Sequence, residues 1–218
     1  MAYSTDAQLG FKVNQHLTDL GVETPFKQKE ISKTALEYHF AEIMKEVGLD
    51  LTDDSLMETP RRLAKLFGPA EYFAGLNYDN FPKATVVDNK FQYNEMLIER
   101  NIIVNSLCEH HFLPIIGKAF VAYIPEKKVL GLSKLNRIVD FFARRPQIQE
   151  RLTAQIYHTL SFILETENVA VILEAEHMCV KTRGVLDACS DTVTSQLGGA
   201  FKKPEVRAEF IALSKGLT

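Results

Sequence analysis

The sequence predicts an α+β fold with a mainly antiparallel sheet. The element blocks are one reason: helices come first, then strands, a pair of helices, and strands again. A parallel α/β sheet would show strict alternation of strand and helix instead. The change of period is the other reason. Apolar residues recur at helical spacing over 32–73, then give way to runs rich in Val, Ile, Phe and Tyr separated by turn residues.

Residues 1–30 have weak periodicity and hold Gly10, Gly21 and Pro25. They read as a poorly specified arm with room for a short helix. From Ser32, the residues Leu36, Phe40, Ile43, Met44 and Val47 predict a helix that stops at Gly48. Thr59 is the expected cap of the next helix, and Pro60 suits its first position. Leu63, Leu66, Phe67, Ala70 and Phe73 continue its face, and Gly75-Leu-Asn77 closes this part. Strands are expected over 84–91, 96–105 and 117–124. Gly131 and Ser133 then open a helix whose inward stripe is Leu135, Ile138, Val139 and Phe142. Pro146 is expected to start another, with Ile148, Leu152, Ile156, Leu160 and Ile163 apolar. Strands return over 168–177 and about 189–195. The expected division is a helical region over 1–82 and a second domain over 83–218.

The composition narrows the class. The chain has 218 residues, 46% hydrophobic and 24% charged, so it can bury a core without staples. A net charge of −3 argues against a nucleic-acid binder, though not against one local anion pocket. The first thirty residues carry Asp6, Lys12 and Asp19 and lack the apolar core of a signal peptide. Apolar runs such as Val169 to Leu173 are too short to span a bilayer. A cytoplasmic protein with no membrane partner is expected. In that compartment three cysteines stay reduced and serve as ligands, nucleophiles or core residues.

Cys108-Glu109-His110-His111 is the densest set of metal-capable side chains. Cys108 and His111 have the spacing for a turn to present a thiolate and an imidazole to one ion. His177-Met178-Cys179 offers another of each far along the chain. Two Cys and one His make the three-ligand set of a catalytic zinc with an open position, and their softness favours zinc over magnesium or calcium. His110 and His177 would flank the metal and move protons. Two alternatives stay open on spacing alone. The cysteines can be ordinary core residues, and Cys189 offers a fourth ligand for a closed structural site.

Gly131-Leu-Ser133-Lys134 opens a helix, with Arg137 one turn further on. Exposed amides and the macrodipole attract anions there. Lys181 and Arg183, at alternate positions, would share one face of a strand and add charge close to Cys179. Polyphosphate is the natural ligand for such a set, although for an isolated helix start a capping Ser133 and a solvated basic surface account for it better. No phosphate-loop or dinucleotide fingerprint is present, so any phosphates are handles, not the reacting group. Gln149-Glu150 offers a carboxylate to adjacent N–H donors such as those of guanine.

Together, Cys108-Glu-His-His111, Gly131-Leu-Ser-Lys-Leu-Asn-Arg137, Arg145-Pro-Gln-Ile-Gln-Glu-Arg151 and His177-Met-Cys-Val-Lys-Thr-Arg-Gly184 resemble GTP cyclohydrolase I in content and order. The Asp53–Pro60 stretch is similar to that family's N-terminal helical region. The resemblance covers roughly residues 32 to 212. It implies the tunnelling fold, an antiparallel sheet with two helices on one face and an N-terminal helical extension, with 83–218 as the catalytic domain. It implies a homo-oligomer, a decamer with active sites between subunits. The implied reaction converts GTP and water to 7,8-dihydroneopterin triphosphate and formate. Cys108, His111 and Cys179 match the zinc (Zn2+) ligands, and the metal would activate water for attack at purine C8. His110 and His177 match proton-transfer positions. Glu150, with Gln149 beside it, matches the guanine-recognising carboxylate. Ser133, Lys134, Arg137 and Arg183 match the ribose and triphosphate lining.

Two residues depart from the pattern. Leu186 stands where close bacterial members often carry a basic residue. Cys189 replaces a small hydroxyl residue and is expected to serve packing. Two other functions compete: a tunnelling-fold enzyme acting on a pterin or deazapurine, and a zinc-stabilised oligomeric binding protein without turnover.

Overall fold

A computed structural model describes residues 3–27 and 29–216. Met1, Ala2 and Gln28 of the expected arm, and Leu217 and Thr218 of the second domain, lie outside the described residues.

The arm contains a full helix, α1 (Ala7–Asp19). The Asp6 carboxylate caps it by accepting from the Leu9 N–H at 2.9 Å. Gly10, Val13 and Leu17 form its buried stripe. Gly10, read from sequence as a sign of weak structure, is a point of close approach. A Cβ there would lie 2.2 Å from the Tyr78 carbonyl oxygen, so only glycine lets α1 dock.

Gly48 ends helix α2 (Lys33–Glu46) as expected, at φ +82°, and the structure adds a cap: Ser32 accepts from the Ala35 N–H at 3.2 Å. Helix α3 (Thr59–Leu66) corrects two expectations. Thr59 is its first residue and makes no side-chain cap bond, while Glu58 precedes it. The helix ends at Leu66, short of Phe73. Pro69 disfavours helical backbone at Gly68 and breaks the run there. A 3-10 turn at Ala74–Leu76 follows.

The strands are β1 (Val86–Asp88), β2 (Leu97–Cys108), β3 (Pro114–Tyr123), β4 (Lys128–Leu130), β5 (Pro146–Gln147), β6 (Val169–His177) and β7 (Thr192–Leu197). The main sheet has the order β5-β2-β3-β6-β7, antiparallel except where β5 runs parallel to β2. β1 and β4 form a separate antiparallel pair. The strand expected over 84–91 keeps only three residues, and β7 lies slightly later than 189–195. Pro146 does not start a helix. It joins a two-residue edge strand, where its missing N–H is harmless. Helix α5 (Gln149–Leu164) begins three residues later. β4 and the C-terminal helix α7 (Pro204–Ser214) were not foreseen.

Helix α4 (Leu132–Ala143) and α5 pack on one face of the sheet. Leu135, Ile138, Val139 and Phe142 of α4 and Leu152, Ile156 and Leu160 of α5 meet Val104, Val121, Val171 and Leu173. Val13 and Leu17 of α1 join the same core. Each such large apolar side chain contributes about 1.5–3 kcal/mol on burial. On the opposite face, Phe120, Ala122 and Ala170 meet Phe201 and Phe210. This is the expected α+β tunnelling arrangement. No helix among the described residues is long and apolar enough to cross a membrane.

Candidate active site

Cys108 is the last residue of β2, and the chain reverses immediately after it. The Cys108 N–H donates to the Leu113 carbonyl and the Phe112 N–H to the Cys108 carbonyl, both at 2.8 Å. This tight turn puts Phe112 at φ +52°, an uncommon region for a residue with a side chain. Ring contacts with Phe67 and Phe73, centroids 6.1 and 5.9 Å away, hold it there. His110 and His111 are thereby presented at the surface. The Glu109 N–H donates to the Gln147 carbonyl at 3.0 Å and ties the turn to β5.

β6 pairs with the other side of β3, with His177 opposite Ile115. The strand ends at His177 and the chain enters the single-turn helix α6 (Met178–Lys181). Cys179 is thus brought against Cys108, and the two pack with Ile115 and Ala175. The ligand atoms of Cys108, His111 and Cys179 all lie within 4.8 Å of one another. Cys108 Sγ is 3.7 Å from His111 Nδ1 and 3.8 Å from His110 Nδ1. A tetrahedral zinc, with Zn–S near 2.3 Å and Zn–N near 2.0–2.1 Å, separates S and N by about 3.6 Å. The donor set therefore fits a zinc ion in both chemistry and spacing. Burial and the neighbouring Cys108 thiol push the Cys179 thiol up, while Arg183 pulls it down. Arg183 also reaches His111, its Nη1 against Nε2.

His177 stands beside the cluster, half-buried. Burial pushes its imidazole down and the Glu150 carboxylate acts in the opposite sense. Glu150 lies exposed in the first turn of α5. Gln149, just before it, is buried at 2% exposure. Its Oε1 is 2.7 Å from His177 Nε2. Its amide nitrogen reaches the carbonyls of Leu173 and Thr192 and the Thr194 hydroxyl.

Ser133, Lys134 and Arg137 are not brought to this cluster. Asn136, between them, donates to Glu99 Oε1 at 3.4 Å, near the start of β2. The far end of α4 leads to Arg145, whose carbonyl accepts from Ser106 near the end of β2. At about 3.3 Å per strand residue, less what the bulge between Glu99 and Ile102 takes up, Glu99 and Cys108 are roughly 25 Å apart. The basic set and the thiols thus occupy opposite ends of one sheet. Arg137 lies over the Tyr3 ring at 5.2 Å.

Lys181 and Arg183 do not share a strand face, because the strand has already ended. Lys181 pairs with Glu176 at 3.2 Å and donates to the Ala188 carbonyl at 2.7 Å, bracing the loop. Cys189 is exposed in that loop and outside the thiol–imidazole group, so it neither packs in the core nor joins the ligand set. Leu186 is exposed, with φ +57°.

Sequence reasoning missed Glu109 and Arg151. Arg151 grips the carboxylate that stands between Cys108 and His110. Opposite charges within the two motifs were the only signal. It also missed Arg145, fully buried between the rings of Tyr78, Phe141 and Phe142.

Thiols, imidazoles and a carboxylate gathered at one end of a tunnelling-type sheet define an enzyme of that fold. The family model described as GTP cyclohydrolase I matches residues 36–215. A protein of Shewanella denitrificans named GTP cyclohydrolase 1 is 53% identical, covering 94% of this chain and 96% of its own length. One of Photobacterium profundum with the same name is 54% identical, covering 91% and 93%. Another, of Vibrio vulnificus, is 53% identical, covering 95% and 96%. The chain belongs to the GTP cyclohydrolase I family and is an enzyme of it.

Proposed function

We propose that the protein converts GTP and water to 7,8-dihydroneopterin triphosphate and formate. The observation that carries this reading is the Cys108–His111–Cys179 group, with His110, His177 and Glu150 around it. Cys108, His111 and Cys179 would hold a zinc ion, which would supply Lewis-acid activation of water for attack at purine C8. Glu150 offers two acceptor oxygens to the N1–H and amino group of guanine. His110 and His177 take up and return protons as the imidazole ring opens and the formyl group leaves. Arg183 binds triphosphate from the same chain. The ribose rearrangement and ring closure that follow need a site holding a reactive intermediate away from water.

Ser133, Lys134 and Arg137 complete the site from a second copy of the chain. Their separation from the thiols supports this reading, because one chain cannot offer both sets to one GTP molecule. A homodecamer with sites between subunits satisfies that need. Residues 83–218 are the catalytic domain, and 1–82 the helical extension. Three free cysteines suit a cytoplasmic protein.

The test is incubation of the purified protein with GTP, following formate and a fluorescent pterin after oxidation. Both products are expected in equal amounts. A zinc-loaded oligomer that releases neither would overturn the reading in favour of a binding protein.

A further inference from the structure

We propose that Gln149 is a positioning residue that fixes His177 as its Nε2–H tautomer and leaves Nδ1 as the atom through which it exchanges protons. The inference rests on the proton-carrying role of His177 given above. It differs from what the resemblance implies, which counts Gln149 with Glu150 among the substrate-binding residues.

The hydrogen-bond directions around Gln149 are forced from the backbone outward. The Leu173 and Thr192 carbonyls can only accept. They lie 3.2 and 2.9 Å from one end of the Gln149 amide, so that end is the NH2 group. A second chain of bonds gives the same answer. The Gln149 carbonyl can only accept, so the Thr153 hydroxyl donates to it at 2.8 Å. Thr153 Oγ1 then accepts from the Thr194 hydroxyl at 2.7 Å. With its proton so placed, Thr194 Oγ1 accepts from the Gln149 amide nitrogen at 3.2 Å. Two independent routes thus orient the amide, and its oxygen faces His177.

That oxygen is 2.7 Å from His177 Nε2. An amide oxygen cannot donate, so Nε2 carries the hydrogen. In the neutral ring the lone pair therefore lies on Nδ1. The amide is held by β6, β7 and α5 together, and Gln149 is 2% exposed, so it cannot turn over to favour the other tautomer. Its donors are all engaged within the fold, which leaves none for a ligand.

The experiment uses the zinc-loaded full-length protein with 15N-labelled histidine. The His177 resonances are identified by their loss in His177→Asn. Wild-type protein is expected to show only the Nε2–H tautomer at His177, and Gln149→Met a mixture of the two. With GTP, Gln149→Met is expected to lose at least tenfold in kcat while KM stays within about twofold. Thr194→Val loosens the amide without touching His177 and is expected to give a smaller loss of the same kind. A wild-type Nδ1–H tautomer would overturn the proposal. So would a Gln149→Met protein with raised KM and unchanged kcat, or one with neither altered. Where both constants move, the tautomer spectrum decides. If the spectra are as expected but His177→Asn keeps full activity, the positioning stands and the proton-carrying role falls.

Discussion

Arg151 holds Glu109 by a two-pronged ion pair, Nη1 to Oε2 at 2.6 Å and Nη2 to Oε1 at 3.2 Å. The carboxylate belongs to the turn between Cys108 and His110, and the guanidinium to the first turn of α5. The pair therefore clamps the turn that presents both histidines to the helix that presents Glu150. The two side chains are 23% and 13% exposed, so screening by water is incomplete. Arg151 bonding holds the Glu109 carboxyl below its usual range.

Arg151→Ala is expected to destabilise the protein by about 1–3 kcal/mol, because a partly buried carboxylate loses its partner. A depressed folded-state pKa means that the contribution is present above the ordinary carboxylate pKa. It is lost as pH falls through the lower folded value. The difference between wild type and variant should thus be full at neutral pH and shrink below about pH 4. Denaturant titrations at a series of pH values check it. An equal difference at pH 7 and pH 3 would remove the ion pair as the cause.

Arg145 is a harsher case. It is fully buried, pairs with Glu23 at 2.8 Å, donates to the Gly75 carbonyl, and is enclosed by three aromatic rings. Glu23 follows α1, so this one side chain fastens the N-terminal segment to the strand beside Cys108. Arg145→Ala is expected to cost about 3–5 kcal/mol, since the Glu23 carboxylate, 10% exposed, loses its ion-pair partner and keeps only neutral donors from Tyr78, Thr24 and Gln155. Arg145→Lys should recover only part, for lack of the planar fork. Thermal unfolding measures both, and a lysine variant as stable as wild type would show that charge alone suffices.

Cys108→Ala, His111→Ala and Cys179→Ala are expected to lose bound zinc and turnover together while remaining folded oligomers. The reason is their place at the end of the sheet, outside the main core. Metal analysis after gel filtration, beside the formate assay, tests this. Full activity in a zinc-free triple variant would defeat the metal mechanism.

On the proposed reading, in which Glu150 accepts from the two donors of guanine, Glu150→Gln replaces one acceptor oxygen with a donor. Discrimination between GTP and ATP is expected to fall by at least tenfold in kcat/KM, about 1.4 kcal/mol. Competition kinetics with the two nucleotides measure it. Unchanged GTP kinetics would assign guanine recognition elsewhere.

What was legible in the sequence was local. Ser32 beside a helical stripe, and the Leu135–Phe142 stripe of α4, fix elements within one or two turns of chain. The gathering of Cys108, His111 and Cys179 was legible because thiols and imidazoles are scarce and chemically distinctive. Contacts between distant residues of common type were not. Glu109 and Arg151 are 42 positions apart, and nothing local marks either as the other's partner. Gly10 looked like a weakness because the Tyr78 carbonyl that it approaches is remote in sequence. Lys181 and Arg183 alternate as strand residues would, but β6 stops at His177 and the turn into α6 removes that periodicity.

The last prediction follows from the distance between the thiol–imidazole group and the basic set, which the proposed function joins in one site between chains. The thiols lie at one end of β2, and Ser133, Lys134 and Arg137 beside the other. A chain with Cys179→Ala lacks the metal set but keeps the basic set, while a chain with Arg137→Ala is damaged in the basic set but keeps the metal set. Each variant alone is expected to be nearly inactive. In mixed oligomers, some sites pair intact thiols from one chain with intact basic residues from another. Co-expression of the two differently tagged chains, followed by tandem purification, should therefore restore GTP turnover. For random mixing at equal amounts, about one quarter of such inter-chain sites inherit both intact halves, so activity should approach that fraction of wild type. Mixed oligomers as inactive as either parent would mean that both halves act on GTP from the same chain, and the reading of a shared site would be lost.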